Sequence, residues 1–321
     1  MNDDDALRYA ELALENWGPA SPPRLIKNRE NAVFETYLAD GTHAALRLHR
    51  PGYQTDNAIR SELWWAEALV VSGLSVPVPV RSLSGDVLAS VPRAGRMASV
   101  VSWLDGAPMG EGDVPLPGSP DQQEAVHFAL GAELARIHRA SDDADLPAKF
   151  DRPVLDATAL LGDTPAWGRF WENPTLSVAE TETLLEVRSR LQNVIAGHAK
   201  NGGDFGLIHA DALRENVLVQ GQDVALIDFD DGVFGFRMYE LGVAMSQNWD
   251  QSNRDALGAA LLEGYATIRD LPADAKKLLE PFTVMRGLAS CGWVIARYKP
   301  DDPVVRTYAE RALEMCRRWA G

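Results

Sequence analysis

The chain of 321 residues is short of several things, and each shortage removes a class of protein. It has two cysteines, Cys291 and Cys316. Two thiols cannot staple a chain of this length, no metal-site spacing involves them, and both fall in helix-like stretches. They are expected to be buried small side chains in a reducing compartment. No uncharged apolar run approaches membrane-spanning length. The opening segment, MNDDDALRYAELAL, has neither the basic start nor the apolar centre of a secretory signal. Positive charge is also scarce: 31 Lys and Arg against 46 Asp and Glu leave a net charge of −15. Such a surface repels nucleic-acid phosphates and anionic lipid, so neither is an expected partner. A soluble cytoplasmic protein is the expectation.

What is present falls into two textures. After a short amphipathic run behind Asp3, Asp4 and Asp5, strand-like segments cover 32–38 and 43–48, joined by the turn Asp40-Gly41. The spacing of Ile59, Leu63, Ala66 and Val70 predicts a helix from Thr55 to Ser72, stopped by Gly73. Strands are predicted over 87–91 and 97–101, with Gly95 between them. The Gly- and Pro-rich stretch that follows marks a junction, which divides the chain into 1–103 and 104–321. Beyond it helices dominate (122–140, 178–196, 238–247, 254–268, 273–298 and 303–319), interrupted by one β-rich island from Leu207 to Asp228. The class is α+β.

The island carries the chemistry. His209-Ala-Asp211-Ala-Leu-Arg-Glu-Asn216 is followed, after an apolar run, by Ile227-Asp228-Phe229-Asp230-Asp231. Phosphoryl transfer from ATP needs a divalent metal held by a few oxygen ligands and a group that orients a hydroxyl. Asp228 at a strand end and the neutral amide of Asn216 suit Mg2+ without over-neutralising it. Asp211 can accept the hydrogen bond of the attacking hydroxyl. An Asp-x4-Asn loop followed by an apolar strand ending in Asp matches the catalytic and metal loops of kinases. The bland alternative is a surface loop and a strand end with solvated acids.

On these residues the chain resembles the aminoglycoside phosphotransferase superfamily, including its type II homoserine kinases and stress-response kinase A group. The resemblance covers nearly the whole chain. It implies a bilobal protein-kinase-like fold, with a small antiparallel sheet lobe and a larger helical lobe, and use of ATP and Mg2+. It implies Asp211 as base, Asn216 and Asp228 as magnesium ligands, and His209 bracing the catalytic loop. Ala210 stands where the family writes glycine, a small-for-small change.

The same resemblance puts Arg47 in the place of the strand lysine that grips ATP phosphates, with Glu62 as its helix partner. Arginine is a planar fork rather than a point charge, so this departs from the common pattern. Its structural reading is an exposed ion pair of little consequence. The phosphate-covering loop would lie at Asn28–Phe34 and has no glycine; Asn31 there could bring donors to the phosphates or simply close a hairpin. Ser102 C=O and Leu104 N–H would face the adenine. Glu240 would anchor the catalytic loop from the next helix. His138 reads as packing, Arg286 could face the acceptor or tie helices together, and Trp167 and Trp171 could wall a substrate site.

Three functions compete. The preferred one is a kinase for a hydroxyl on an amino acid, amino alcohol or aminoglycoside-like molecule. A Ser/Thr protein kinase is the second, although no activation segment or Ala-Pro-Glu element is present. A nucleotide-binding pseudokinase is the third.

Overall fold

A computed structural model describes residues 1–28 and 31–320. Arg29 and Glu30, central to the expected phosphate loop, lie outside the described residues. The chain divides into two compact units, Met1–Gly106 with Asp143–Arg152, and Ala107–Asp142 with Pro153 onward. The first unit therefore ends three residues beyond the expected junction and regains a short downstream segment.

In the first unit, α1 (Asp3–Leu14) is capped by Asn2, whose side chain accepts from Asp5 N–H. The strands β1 (Arg24–Asn28), β2 (Ala32–Tyr37) and β3 (His43–Leu48) precede α2 (Asp56–Val71), and β4 (Pro79–Val80), β5 (Ala89–Val91) and β6 (Arg96–Ser102) follow it. Among the described residues they form one antiparallel sheet ordered β1-β2-β3-β6-β4, with β5 also on β6. The two faces bury against different helices, because strand side chains alternate. Ala44, Leu46 and Leu48 of β3 join Phe34 and Val100 in a core with Ala6, Ala10, Ala13 and Leu14 of α1. Ala45 packs with Val101, Leu88 and Ile59 and Leu63 of α2. Residue 47 shares the parity of Ala45, which is why Arg47 can meet α2.

Thr55 caps α2 as its side chain accepts from Ala58 N–H at 3.0 Å. The returning 143–152 segment is tied to the same helix. Asn57 Nδ2 donates to Lys149 O, Asp151 N–H to Ser61 Oγ, and Arg152 Nη1 to Ala58 O. These are polar contacts, invisible to a search for hydrophobic periodicity.

The second unit opens with β7 (Ala107–Pro108) and α3 (Pro120–Asp143), then β8 (Val154–Leu155), α4 (Ala157–Leu161) and α5 (Val178–Lys200). The strands β9 (Phe205–Ile208), β10 (Val217–Gln220), β11 (Asp223–Leu226) and β12 (Val233–Phe236) come next. Helices α6 (Arg237–Met245), α7 (Arg254–Ala266), α8 (Ala275–Trp293) and α9 (Pro303–Ala320) complete it. A full capping box at Ser177 and Glu180 starts α5. β12 is an addition to the expected island: it pairs antiparallel with β9 and parallel with β8. β7 was expected to be linker, yet it pairs with β10, a proline being tolerated on an edge strand.

The crossing of α6 and α8 is unusually close. A Cβ on Gly242 would lie 2.5 Å from the Phe282 carbonyl carbon, so only glycine permits it. Cys291 and Cys316 are fully buried free thiols, and burial raises both to about 12. Among the described residues no helix is long and apolar enough to cross a membrane.

Candidate active site

The second unit gathers Asp211, Asn216 and Asp228 through one hairpin. β10 and β11 pair from Val217↔Leu226 to Gln220↔Asp223, and Ile227 N–H donates to Asn216 O at 3.0 Å. That register sets Asn216 opposite Ile227 and one residue from Asp228. Asn216 Nδ2 donates to the Asp211 backbone oxygen at 2.9 Å and to Asp211 Oδ2 at 2.8 Å. The amide nitrogen is thus spent on Asp211, and Asn216 Oδ1 is turned the other way.

Ala210 (φ 63) and Asp228 (φ 67) are the two non-glycine residues with positive φ among those described. Such backbone costs about 1 kcal/mol or more per residue and concentrates at functional sites. At 210 the family's usual glycine would carry it freely, so alanine is not the cost-free exchange expected from size alone. Glu240 on α6 holds the strained loop. Its Oε2 accepts from His209 N–H, and both its oxygens accept from Ala210 N–H at 3.1 Å. Burial raises the Glu240 pKa, while the nearby His209 and the two N–H donors oppose the shift.

His209 is fully buried, with its ring edge-on to Phe229. Its Nδ1 accepts from Asp211 N–H at 3.2 Å and its Nε2 contacts Ile227 O at 3.0 Å, which fixes the Nε2–H tautomer. Both nitrogens are committed to backbone, so His209 fits a brace between the two loops and not a proton carrier. His138, also fully buried, meets the Tyr265 hydroxyl at 2.9 Å and Glu240 Oε2 at 3.8 Å. Burial depresses its pKa well below the ordinary value.

Asp211 is the meeting point of the site. Arg286 on α8 donates through Nη2 to Asp211 Oδ1 at 2.6 Å, with the two side chains 13% and 19% exposed. Burial raises the Asp211 carboxyl to about 7; Arg286 pulls against this, and Asp231, Asp228 and Glu215 reinforce it. Asp228 itself is exposed.

A second clamp holds the far side of the loop. Arg214 is buried and donates from Nε and Nη2 to Asn248 Oδ1 and from Nη1 to Glu111 O and Val114 O. Arg214 N–H donates to Gln247 Oε1. Asn248 Nδ2 in turn meets His127 Nε2 at 3.0 Å. Sequence reasoning missed this clamp, since Arg214 reads as a solvated loop cation. The available signal is that Arg214 is the one Lys or Arg in an island whose other charged residues are acids.

The first unit holds the remaining candidates. Arg47 Nη2 donates to Glu62 Oε1 at 2.5 Å, and both side chains are buried. The expected alternative of an exposed pair is therefore overturned. Asn31 accepts from Arg50 N–H at 3.1 Å, which closes the β2–β3 end. Ser102 ends β6; its N–H donates to Val78 O and its Oγ accepts from Val78 N–H. Leu104 follows Trp103, whose ring stacks on His43 at 4.7 Å. Of the two tryptophans, Trp167 adjoins Tyr239 on α6, whereas Trp171 lies under the Arg188 guanidinium.

The residues present fit a hard divalent ion. Asn216 Oδ1 and the Asp228 carboxylate are oxygen donors, the choice magnesium requires. Among the described residues no cluster of three or more His, Cys, Asp or Glu could hold a metal. One amide and one carboxylate suit an ion that takes its remaining ligands from phosphates and water.

The model of the phosphotransferase enzyme family matches residues 24–277. A homoserine kinase of Sinorhizobium medicae (strain WSM419) is 29% identical over 287 residues, covering 87% of this chain and 79% of that protein. One from Rhizobium rhizogenes (strain K84) is 30% identical over 229 residues, covering 69% of this chain and 63% of its own length. Among solved structures, a microcompartment-associated aminopropanol kinase is 27% identical and superimposes with a TM-score of 0.84, covering 99% of this chain and 98% of that one. An amicoumacin kinase, 16% identical with a TM-score of 0.75 and covering 98% of this chain and 94% of that one, shares the fold. The chain belongs to the phosphotransferase enzyme family, with its kinase-like α+β fold, and is an ATP-dependent phosphotransferase whose acceptor is an alcohol group.

Proposed function

We propose that this enzyme transfers the γ-phosphoryl group of ATP to the hydroxyl of a small amine-bearing alcohol or hydroxy amino acid, with Asp211 as base. The relatives named for homoserine and aminopropanol support an acceptor of this size. The observation that carries the reading is the pair of hydrogen bonds from Asn216 Nδ2 to Asp211 O and Oδ2. They hold the carboxylate still, as a base that must align a hydroxyl requires.

In the proposed reaction the acceptor oxygen bonds to the γ-phosphorus and the bond to the β,γ-bridging oxygen breaks. ADP leaves, and the hydroxyl proton passes to Asp211. A carboxyl raised to about 7 is suited to accept that proton near neutral pH. Asn216 and Asp228 would hold magnesium, which when bound neutralises charge developing on the phosphates. Arg47, steadied by Glu62, grips phosphate oxygens with its fork, and Asn31 adds a polar contact. Ser102 C=O and Leu104 N–H pair with the adenine.

ADP release measured against homoserine, amino alcohols, aminoglycosides and a protein acceptor tests the assignment. Turnover of a small hydroxy compound is expected. Phosphorylation of the protein alone would reverse it.

A further inference from the structure

Resting on that kinase reading, we propose that Arg286, Tyr239 and Trp167 form a subsite that reads a carboxylate on the acceptor, making the substrate a short hydroxy acid. Arg286 spends Nη2 on Asp211, but its buried Nε has no hydrogen-bond partner among the described residues. The same holds for the buried Tyr239 hydroxyl and for Trp167 Nε1. The Tyr239 hydroxyl lies beside both Arg286 and Trp167 without meeting hydrogen-bond geometry with either. Unsatisfied buried donors cost free energy, and native proteins keep few of them. Three around one ion pair point to a ligand that completes them.

The three groups are held there by backbone. The close crossing at Gly242 and Phe282 brings Tyr239, three residues before Gly242, onto the stretch of α8 that carries Arg286. A Cβ on Gly292 of the same helix would lie 2.5 Å from Gly168 O and 2.8 Å from Trp167 O, so the Trp167 segment is seated directly on α8. A site assembled through such contacts is stiff, as recognition of a small ligand requires.

The chemistry of the set decides what it takes. Arg286 Nε and Trp167 Nε1 can only donate and the Tyr239 hydroxyl can do either, so an ammonium group would find at most one acceptor among them and a carboxylate could be met by all three. Arg286 also touches Asp211, so one guanidinium lies between the base and the carboxylate. The hydroxyl and the carboxylate of the acceptor must then be only a few bonds apart. In the transfer step the acceptor oxygen joins the γ-phosphorus, ADP departs and the proton goes to Asp211, while the carboxylate stays on Arg286 unchanged.

Matched acceptors test this. L-homoserine and 3-amino-1-propanol differ by the carboxylate, as do L-threonine and 1-amino-2-propanol. For the better pair, wild type is expected to favour the carboxylated member by about 10- to 100-fold in kcat/KM. Arg286→Met also removes the cation paired with Asp211 and should slow both members, but the acid more, bringing that ratio to within about threefold of unity. Tyr239→Phe, which leaves that ion pair in place, should lower the ratio less, with ATP KM unchanged in both. Equal or better use of the decarboxylated members by wild type would overturn the subsite while leaving the kinase reading intact. A change confined to ATP KM in Arg286→Met would do the same, by moving Arg286 to the phosphates. Absence of ADP formation with every alcohol tried would remove the kinase reading and the subsite together.

Discussion

Glu240 accepts the backbone N–H groups of both His209 and Ala210, and so fastens the catalytic loop at the point where it enters left-handed backbone. Glu240→Ala should therefore leave two buried N–H groups without a partner, at about 1–3 kcal/mol each. Ala210→Gly should do the reverse, gaining at most about 1 kcal/mol because glycine relieves the strain but loses more entropy on folding. Denaturant midpoints compare the two. A Glu240→Ala protein as stable as wild type would mean that the brace is decorative.

The buried Arg47–Glu62 pair makes a different forecast. Removing one member strands the other charge, so Arg47→Met is expected to cost about 3–5 kcal/mol, while Arg47→Lys keeps the charge and loses the fork. If Arg47 grips phosphates, Arg47→Lys should raise the ATP KM several-fold with the acceptor KM unaltered. An unchanged ATP KM would return the pair to a purely structural role.

His127 gives a pH signature. Burial lowers its pKa to about 4, with Arg214 assisting and a bond to Gln123 O opposing. Its folded value lies below its unfolded one near 6.5, so below pH 6.5 the unfolded chain binds more protons. The stability that neutral His127 provides should thus be intact above pH 6.5 and be lost as pH falls toward 4. Protonation also ends the contact between Asn248 Nδ2 and His127 Nε2, and with it support for the Arg214 clamp. Melting temperatures of wild type and His127→Gln, taken between pH 7 and 4, should converge as the acid side is approached. Parallel curves would exclude this histidine as the cause.

How much of this could be read beforehand depended on distance along the chain. Asp211, Asn216 and Asp228 sit in one local hairpin, and phosphoryl transfer dictates their types, so residue order alone proposes their roles. The face of Arg47 follows from strand alternation. Arg286 meets Asp211 from 75 residues away through a helix crossing that a glycine permits. Helical periodicity records that such a face is buried without recording what it meets. β12 leaves no signal because four residues with a glycine give too short a pattern, and the 143–152 segment leaves none because polar bonds hold it. The strain at Ala210 is conformational, and alanine shows no sign of it in sequence.

The central claim is that Asp211 takes the hydroxyl proton. Asp211→Asn keeps the shape and removes the base, so kcat for the acceptor should fall by about 10²- to 10⁴-fold. Binding of a non-hydrolysable ATP analogue, titrated on the same protein, should stay within about threefold of wild type, since the change spares the nucleotide contacts. Full turnover in Asp211→Asn, with the analogue bound as in wild type, would contradict the account.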